Sequence, residues 1–412
     1  MDGTATKPLR IATIGTSMIT RNLIEAMRGC EGAVFAGACS RSAERAAAFT
    51  RELGGRVSFS SVEELAESPE VDAVYIGSPN GLHAAQALAC IRGGKHVLVE
   101  KPFAANEREA RAVLDAAREA GVVALEAMRP LHDPAFHVVA RALPRIGRVW
   151  RATLRFGKRS SRYDEVLAGQ RSNVFDCALA GGALMDIGVY CVEPLVELFG
   201  EPAGLTCAPV LLPEETRPLT GGALDGAGVI VARYPGMVAT VNYSKVTADL
   251  ASSQFEGELG TVTVDSISSP AAARVDMRRG AVEAASAMGA AMVNEGASRG
   301  DRTMGGPHVA VKGAASGAAP ASAKAPVKGY SGNDMVGEEL PLPSCENSMG
   351  YELEDFVAAV RAVASAAGAD VWEAPAGPFG AVGHFAEVTL ASLRVMDEAR
   401  RQAGISFPAD RD

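Results

Sequence analysis

The feature that most constrains the fold is an alternation, through the first third of the chain, of short apolar runs with amphipathic segments. Residues 10–15, 33–39, 73–77, 96–100 and 122–127 read as strands. Residues 19–28, 43–53, 81–93 and 106–120 repeat apolar side chains at helical spacing. Strands that are apolar throughout need cover on both faces, and helices in the crossovers provide it. Such crossovers are right-handed, so the expected architecture is a doubly wound parallel sheet.

After Gly147 the period changes. Residues 148–156 (RVWRATLRF), 228–234 and 237–244 alternate with period two, the last two joined through Pro235-Gly236 as in a hairpin. Residues 254–258 and 261–265 make another hairpin around Gly260, and helical patterns occupy 183–199, 351–367 and 383–403. These imply an α+β unit with an open, mostly antiparallel sheet and helices on one face. At 412 residues the chain suits two domains, divided here as 1–128 and 129–412. Residues 271–329 contain no Leu, Ile, Phe, Tyr, Trp or Cys and are mainly Ala, Gly and Ser. Such a stretch buries too little apolar surface to offset its ordering entropy, so a disordered insertion is expected, with a few helical turns around 281–293 as the alternative.

A formal net charge of −9 argues against general binding to nucleic acid or anionic membranes. No apolar run approaches the roughly 18 residues of a membrane span, and the N-terminus lacks the apolar core of a signal peptide. The seven cysteines are scattered without a CxxC pair, which reads as reduced thiols in a cytoplasmic protein. His132, His137, His308 and His384 show no metal-ligand spacing, and no metal is expected.

Candidate chemistry falls at strand ends. Gly15-Thr16-Ser17-Met18-Ile19-Thr20 follows the first strand and opens a helix. Only the first glycine of a G-x-G-x-x-G fingerprint is present, but Ser17 and Thr20 are small and can donate hydrogen bonds. The turn can lead a pyrophosphate onto a helix N-terminus, although an ordinary strand-to-helix turn is the alternative. The second strand ends in Cys39-Ser40-Arg41, with Arg45 one turn later and no carboxylate before Glu44. A hydroxyl and two guanidinium groups suit the 2′-phosphate of NADP better than the free hydroxyl of NAD, whereas a capping serine with solvated arginines is the plainer reading. The fourth strand ends in Glu100-Lys101-Pro102, where a lysine can reach both substrate and cofactor. Beside a positively charged nicotinamide its pKa should fall, which suits proton transfer, while a surface Lys–Glu pair is the alternative. In the Gly181–Gly182 segment that opens a later helix, Asp186 and Tyr190 stand four apart on one face. Lys158, Arg159 and Arg162 crowd a loop that is either solvated or a holder for an acidic substrate group.

Together these residues resemble the Gfo/Idh/MocA family of nicotinamide-dependent oxidoreductases. The resemblance runs over roughly 9–265 and 337–410. It is carried by the glycine turn, Ser40-Arg41, Ser78-Pro79-Asn80 with His83, Glu100-Lys101-Pro102, the segment from Gly181 to Tyr190, and Gln402-Ala403-Gly404-Ile405 with Phe407-Pro408. It implies an N-terminal Rossmann domain binding NADP, or NAD, through Gly15, Ser17, Met18, Ile19, Thr20, Ser40, Arg41, Arg45, Ser78, Pro79, Asn80, His83, Glu100 and Lys101. It implies Lys101 as acid/base, Asp186 as substrate orienter, and Tyr190 in proton transfer where many members have His. The tyrosine form resembles the branch of dihydrodiol dehydrogenase, NADP-xylose dehydrogenase and glucose–fructose oxidoreductase. Arg129 stands where that branch often has Trp, and the 271–329 insertion has no counterpart.

The function so implied is hydride transfer at a carbinol of a sugar, polyol or related molecule. Epimerisation or glycoside cleavage with a retained cofactor is one alternative, and a non-catalytic dinucleotide sensor another. A homodimer or homotetramer is expected, paired through an open sheet face carrying Val229, Val231, Ala239 and Val241 or their alternates.

Overall fold

A computed structural model describes residues 7–281, 335–366 and 368–411. Six parallel strands form the first sheet: β1 (Leu9–Ile14), β2 (Ala33–Cys39), β3 (Val57–Phe59), β4 (Ala73–Ile76), β5 (His96–Glu100) and β6 (Ala124–Ala127). Their order is β3-β2-β1-β4-β5-β6. Every residue of β4 and β6 is buried, which is why the sequence shows runs there rather than alternation. The three-residue β3 is too short to leave a periodic signal and was not expected. Between β1 and β4 the strand order reverses, so successive crossovers leave toward opposite faces and a crevice opens beyond the strand ends.

The second sheet has eight strands: β7 (Val149–Gly157), β8 (Gly204–Leu211), β9 (Asp225–Tyr234), β10 (Met237–Ser244), β11 (Ser253–Gly257), β12 (Gly260–Val264), β13 (Ala273–Arg278) and β14 (Met335–Glu339). They run in the order β14-β13-β12-β11-β7-β10-β9-β8. All neighbours are antiparallel except β7 and β10.

Two expectations need correction here. The turn at Pro235-Gly236 pairs Tyr234 with Met237, so Val229 and Val231 stand opposite Asn242 and Thr240. Ala239 and Val241 therefore lie on the covered face and are fully buried, whereas Val229 and Val231 are half-buried on the open one. The other correction concerns residues 271–329. β13 lies inside that stretch, hydrogen-bonded on both sides to β12 and β14, and it buries Ala273 and Val275. Ladder bonds and two small apolar side chains suffice because the neighbouring strands supply the rest of the core. The remainder, 282–329, lies outside the described residues.

Helices Val189–Phe199 and Val382–Ala403 pack together over the covered face of the second sheet. The latter also packs on β6 and on helix Glu107–Ala120, and helix Met349–Ser365 packs on helix Met18–Gly29. The end of the chain thus covers the first sheet as well. The helical stretch Cys177–Phe199 is long and apolar enough to cross a membrane, contrary to the sequence expectation, yet 89% of its most apolar window is buried inside the protein.

Val275 gives the test of the β13 assignment. Val275→Ala removes two buried methyl groups and should cost about 2 kcal/mol in denaturant unfolding, at about 0.8 kcal/mol per group plus a cavity term. A neutral substitution would show that the strand contributes nothing to the core.

Candidate active site

The crevice is built first by a close approach of backbones. Gly15 has φ of +106°, and a Cβ there would lie 2.7 Å from the Gly77 carbonyl oxygen, so only glycine fits where the loops after β1 and β4 meet. Helix Met18–Gly29 starts immediately beyond. The Ser17 hydroxyl is 3.2 Å from that of Thr20, and no side chain caps the helix. The amides of its first turn, Met18, Ile19 and Thr20, can therefore serve an anion, as a pyrophosphate cradle requires. At the end of β2 the Ser40 hydroxyl accepts from the Ser42 amide at 3.4 Å. Arg41 and Arg45 are exposed, and neither forms an ion pair among the described residues. These groups fit a dinucleotide.

The loop after β4 is fixed from three sides. Ser78 donates to Gln86 at 2.6 Å, and Asn80 Nδ2 donates to the Ala180 carbonyl at 2.9 Å across to the second half of the chain. Ala180 holds that carbonyl from a left-handed conformation, φ +52°, unusual outside glycine. His83, by contrast, does not face the crevice. It is fully buried, with its ring nitrogens 2.9 Å from the Pro102 oxygen and 2.8 Å from the Ser78 oxygen, so it braces the two loops. His96 serves the sheet instead, accepting from the Val123 amide at 2.9 Å.

The chemistry sits where β5 ends. Lys101 Nζ donates to Asp186 Oδ1 at 3.1 Å and to its carbonyl at 3.0 Å, and lies 4.7 Å from the centre of the Tyr190 ring. Asp186 occupies a single π-helical turn, Leu184–Gly188, that leads into helix Val189–Phe199 with Tyr190. Asp225 sets the start of that turn by accepting from the Ala183 and Leu184 amides at 3.0 and 2.8 Å. A Cβ on Gly182, which has φ of +112°, would strike the same carboxylate, which explains the glycine in the motif. Burial pushes the Asp225 carboxyl up to about 6 despite these donors.

Lys245, which sequence reasoning missed, completes the cluster. It follows β10, is 6% exposed, and its ammonium pairs with Asp186 Oδ2. Its one signal is position, since like Lys101 it stands directly after a strand. Burial alone would raise the Asp186 carboxyl, but Lys101 and Lys245 outweigh it and hold the group below the usual carboxylate range. Burial likewise would lower Lys101, but Asp186, Tyr190 and Glu100 outweigh it and the amine is held above its ordinary value. The protein's own groups thus oppose the expected fall.

Behind Lys101 lies a buried acidic layer. Glu100 accepts from the Tyr75 hydroxyl at 2.5 Å, and burial raises its carboxyl against the pull of Lys101. Glu352 is completely buried and raised well above the carboxylate range for the same reason. Arg129 places its guanidinium 5.9 Å from the centre of the Tyr190 ring. A cleft of about 570 Å³ joins Ser17, Ile19, Gly77, Ser78, Pro79 and Asn80 to Glu100, Lys101, Asp186 and Tyr190. Its other wall carries Arg162, Arg171 and Asn173. Of the basic loop only Arg162 reaches the cleft, and it pairs with Glu165; Arg159 pairs with Asp164, and Lys158 is exposed outside the cleft.

Comparison with known proteins fits this geometry. Residues 9–127 match the oxidoreductase family NAD-binding Rossmann fold, and residues 143–263 match the GFO/IDH/MocA C-terminal domain. The chain is 32% identical, over 98% of its length and 99% of the relative's, to scyllo-inositol 2-dehydrogenase (NADP(+)) of Bacillus subtilis. It is 37% identical to D-xylose 1-dehydrogenase (NADP(+)) 2 of Haloferax volcanii, over 46% of this chain and 57% of that one. Among solved structures, a 3-ketoreductase from Actinomadura kijaniata with NADP and TDP-benzene superposes with a TM-score of 0.68 at 22% identity, covering 96% of this chain and 98% of that one. An aldose-aldose oxidoreductase from Caulobacter crescentus gives 0.68 at 20% identity, over 97% and 98%. With both family models matched in order and a relative aligned end to end, the chain belongs to the Gfo/Idh/MocA family of NAD(P)-binding oxidoreductases acting on small molecules.

Proposed function

We propose that this protein is an NADP-preferring dehydrogenase or reductase that transfers hydride at a carbinol of a cyclitol, sugar or related polyol. The observation that carries the reading is the Lys101–Asp186–Tyr190 cluster, which opens into the cleft beyond the β1/β4 reversal. The polar wall of Arg162, Arg171 and Asn173 suits a polyhydroxylated molecule, and the inositol dehydrogenase named above supports the same class. The nicotinamide, when bound, supplies or accepts the hydride. Lys101 orients the substrate oxygen and stabilises negative charge growing on it, and Asp186 fixes the direction of that ammonium. Lys101 and Tyr190 then give the oxygen its proton in reduction and remove it in oxidation.

Three outcomes are expected. Screening cyclitols, sugars and polyols with NADP and NAD, and following reduced nicotinamide by absorbance, should find stoichiometric turnover. A retained-cofactor isomerase would show none. Lys101→Met should lower that turnover by about two orders of magnitude, and Tyr190→Phe should lower it too, with NADP binding retained. Reduction needs Lys101 protonated, so its rate should fall as pH rises through the Lys101 pKa while oxidation rises. Wild-type turnover in both variants would place the chemistry elsewhere.

Arg41→Ala should weaken NADP far more than NAD, since a charge-assisted bond is worth about 1.5–3 kcal/mol. Equal losses in a fluorescence titration would remove the 2′-phosphate assignment. A second copy of the chain is proposed to cover the open sheet face, where Val210 is 61% exposed and Val238 37%. Light scattering should report at least twice the chain mass, and Val231→Asp should reduce it. A fully active wild-type monomer would contradict the pairing.

A further inference from the structure

Asp186 meets two ammonium groups, and they come from different sheets. Lys101 ends β5 and takes Oδ1 at 3.1 Å; Lys245 follows β10 and takes Oδ2. Among the described residues no other side chain donates to this carboxylate. The Lys245 side chain is 8% exposed and does not line the cleft, so it touches the reacting groups only through Asp186. Its place is fixed by backbone bonds to both flanks. Its amide donates to Gly226 at 2.9 Å, and its carbonyl accepts from Ser160 at 3.0 Å.

We propose that Lys245 is a positioning residue that occupies one oxygen of Asp186, fixes the plane of the carboxylate, and takes up part of its charge, so that Lys101 is oriented while being held to its proton less tightly than a lone ion pair with Asp186 would hold it. This rests on the reading of Lys101 as the proton-transferring group. With one ammonium, Asp186 would form a tight ion pair that holds the proton on Lys101. With two, the carboxylate's charge is shared, and the neighbouring cation itself opposes protonation of Lys101. The other charged groups around Lys101 do not do this work. Tyr190, whose ring lies against the Lys101 amine, Glu100 from the same strand and Glu193 one turn beyond Tyr190 all favour the ammonium. Arg129 approaches Tyr190 rather than Asp186, and His83 is turned toward two carbonyls. Lys245 is the cation in contact with the carboxylate that Lys101 uses.

The test reads Lys101 directly and needs no substrate. Lys101 lines the open cleft, so its unprotonated amine can be trapped by brief labelling with isotopic acetic anhydride near pH 9 and quantified by peptide mass spectrometry. Lys245→Met should lower Lys101 labelling about tenfold, the consequence of a titration shifted up by about one pH unit. Lys245→Arg should restore it, because the second cation is restored. If the methionine variant does not fold, Lys245→Gln should show the same fall. A purely structural role predicts a looser cleft and increased labelling; increased or unchanged labelling overturns the proposal. Steady-state assays supply the second arm. Lys245→Met should move the pH–rate profile upward by the same amount and lower kcat more than it changes KM. If the wild-type enzyme turns over no polyol, the functional reading fails, while the labelling result still decides the role of Lys245.

Discussion

Asp186 receives one ammonium from the end of a parallel strand and another from the end of a strand in the second sheet. A buried carboxylate is costly unless paired, and removing one partner from a buried pair leaves a larger penalty than the pair's net gain. The arrangement therefore constrains both halves of the chain. β5 must end near β10, and the turn carrying Asp186 must sit between them. Asp225 and Gly182 set that turn, and Asn80 ties the cofactor-side loop to Ala180 just before it. The cleft is defined by these contacts across the halves more than by either sheet alone.

The same contacts give the site its electrostatic character. Two lysines around one carboxylate leave local positive charge facing the cleft, while Glu100, Glu126, Glu193 and Glu352 lie buried behind it with raised carboxyls. An ammonium in front of a layer that resists ionisation is suited to a developing alkoxide on a substrate oxygen. Burial opposes ionisation throughout this layer, while Glu100 still favours the Lys101 ammonium. Asp186 remains the carboxylate that orients Lys101, and Lys101 and Lys245 together favour its ionisation.

The cofactor end shows a different economy. The loop has only one glycine of the dinucleotide fingerprint, yet the one position where a side chain would strike the opposing backbone is Gly15. Ser17 and Thr20 bond each other and leave the helix amides uncapped. The departure from the fingerprint thus spares the two features that phosphate binding needs, close approach and free amides.

The sequence by itself determined the parallel sheet, since apolar runs and helical spacing are local and repeat. It also placed Gly15, Lys101, Asp186 and Tyr190, because each stands at a strand end or on one helical face. The hairpin at Pro235-Gly236 even contained the register that puts Val231 opposite Thr240. What it could not determine was which face the helices would cover. Tertiary structure decided that Ala239 and Val241 face inward, that β13 is a strand despite its poor composition, and that His83 braces loops. It alone brought Lys245 to Asp186 across 59 residues of sequence. The reason is physical: a period specifies a face, but burial and ion pairing depend on partners supplied by distant strands, and those exist only once the two sheets have met.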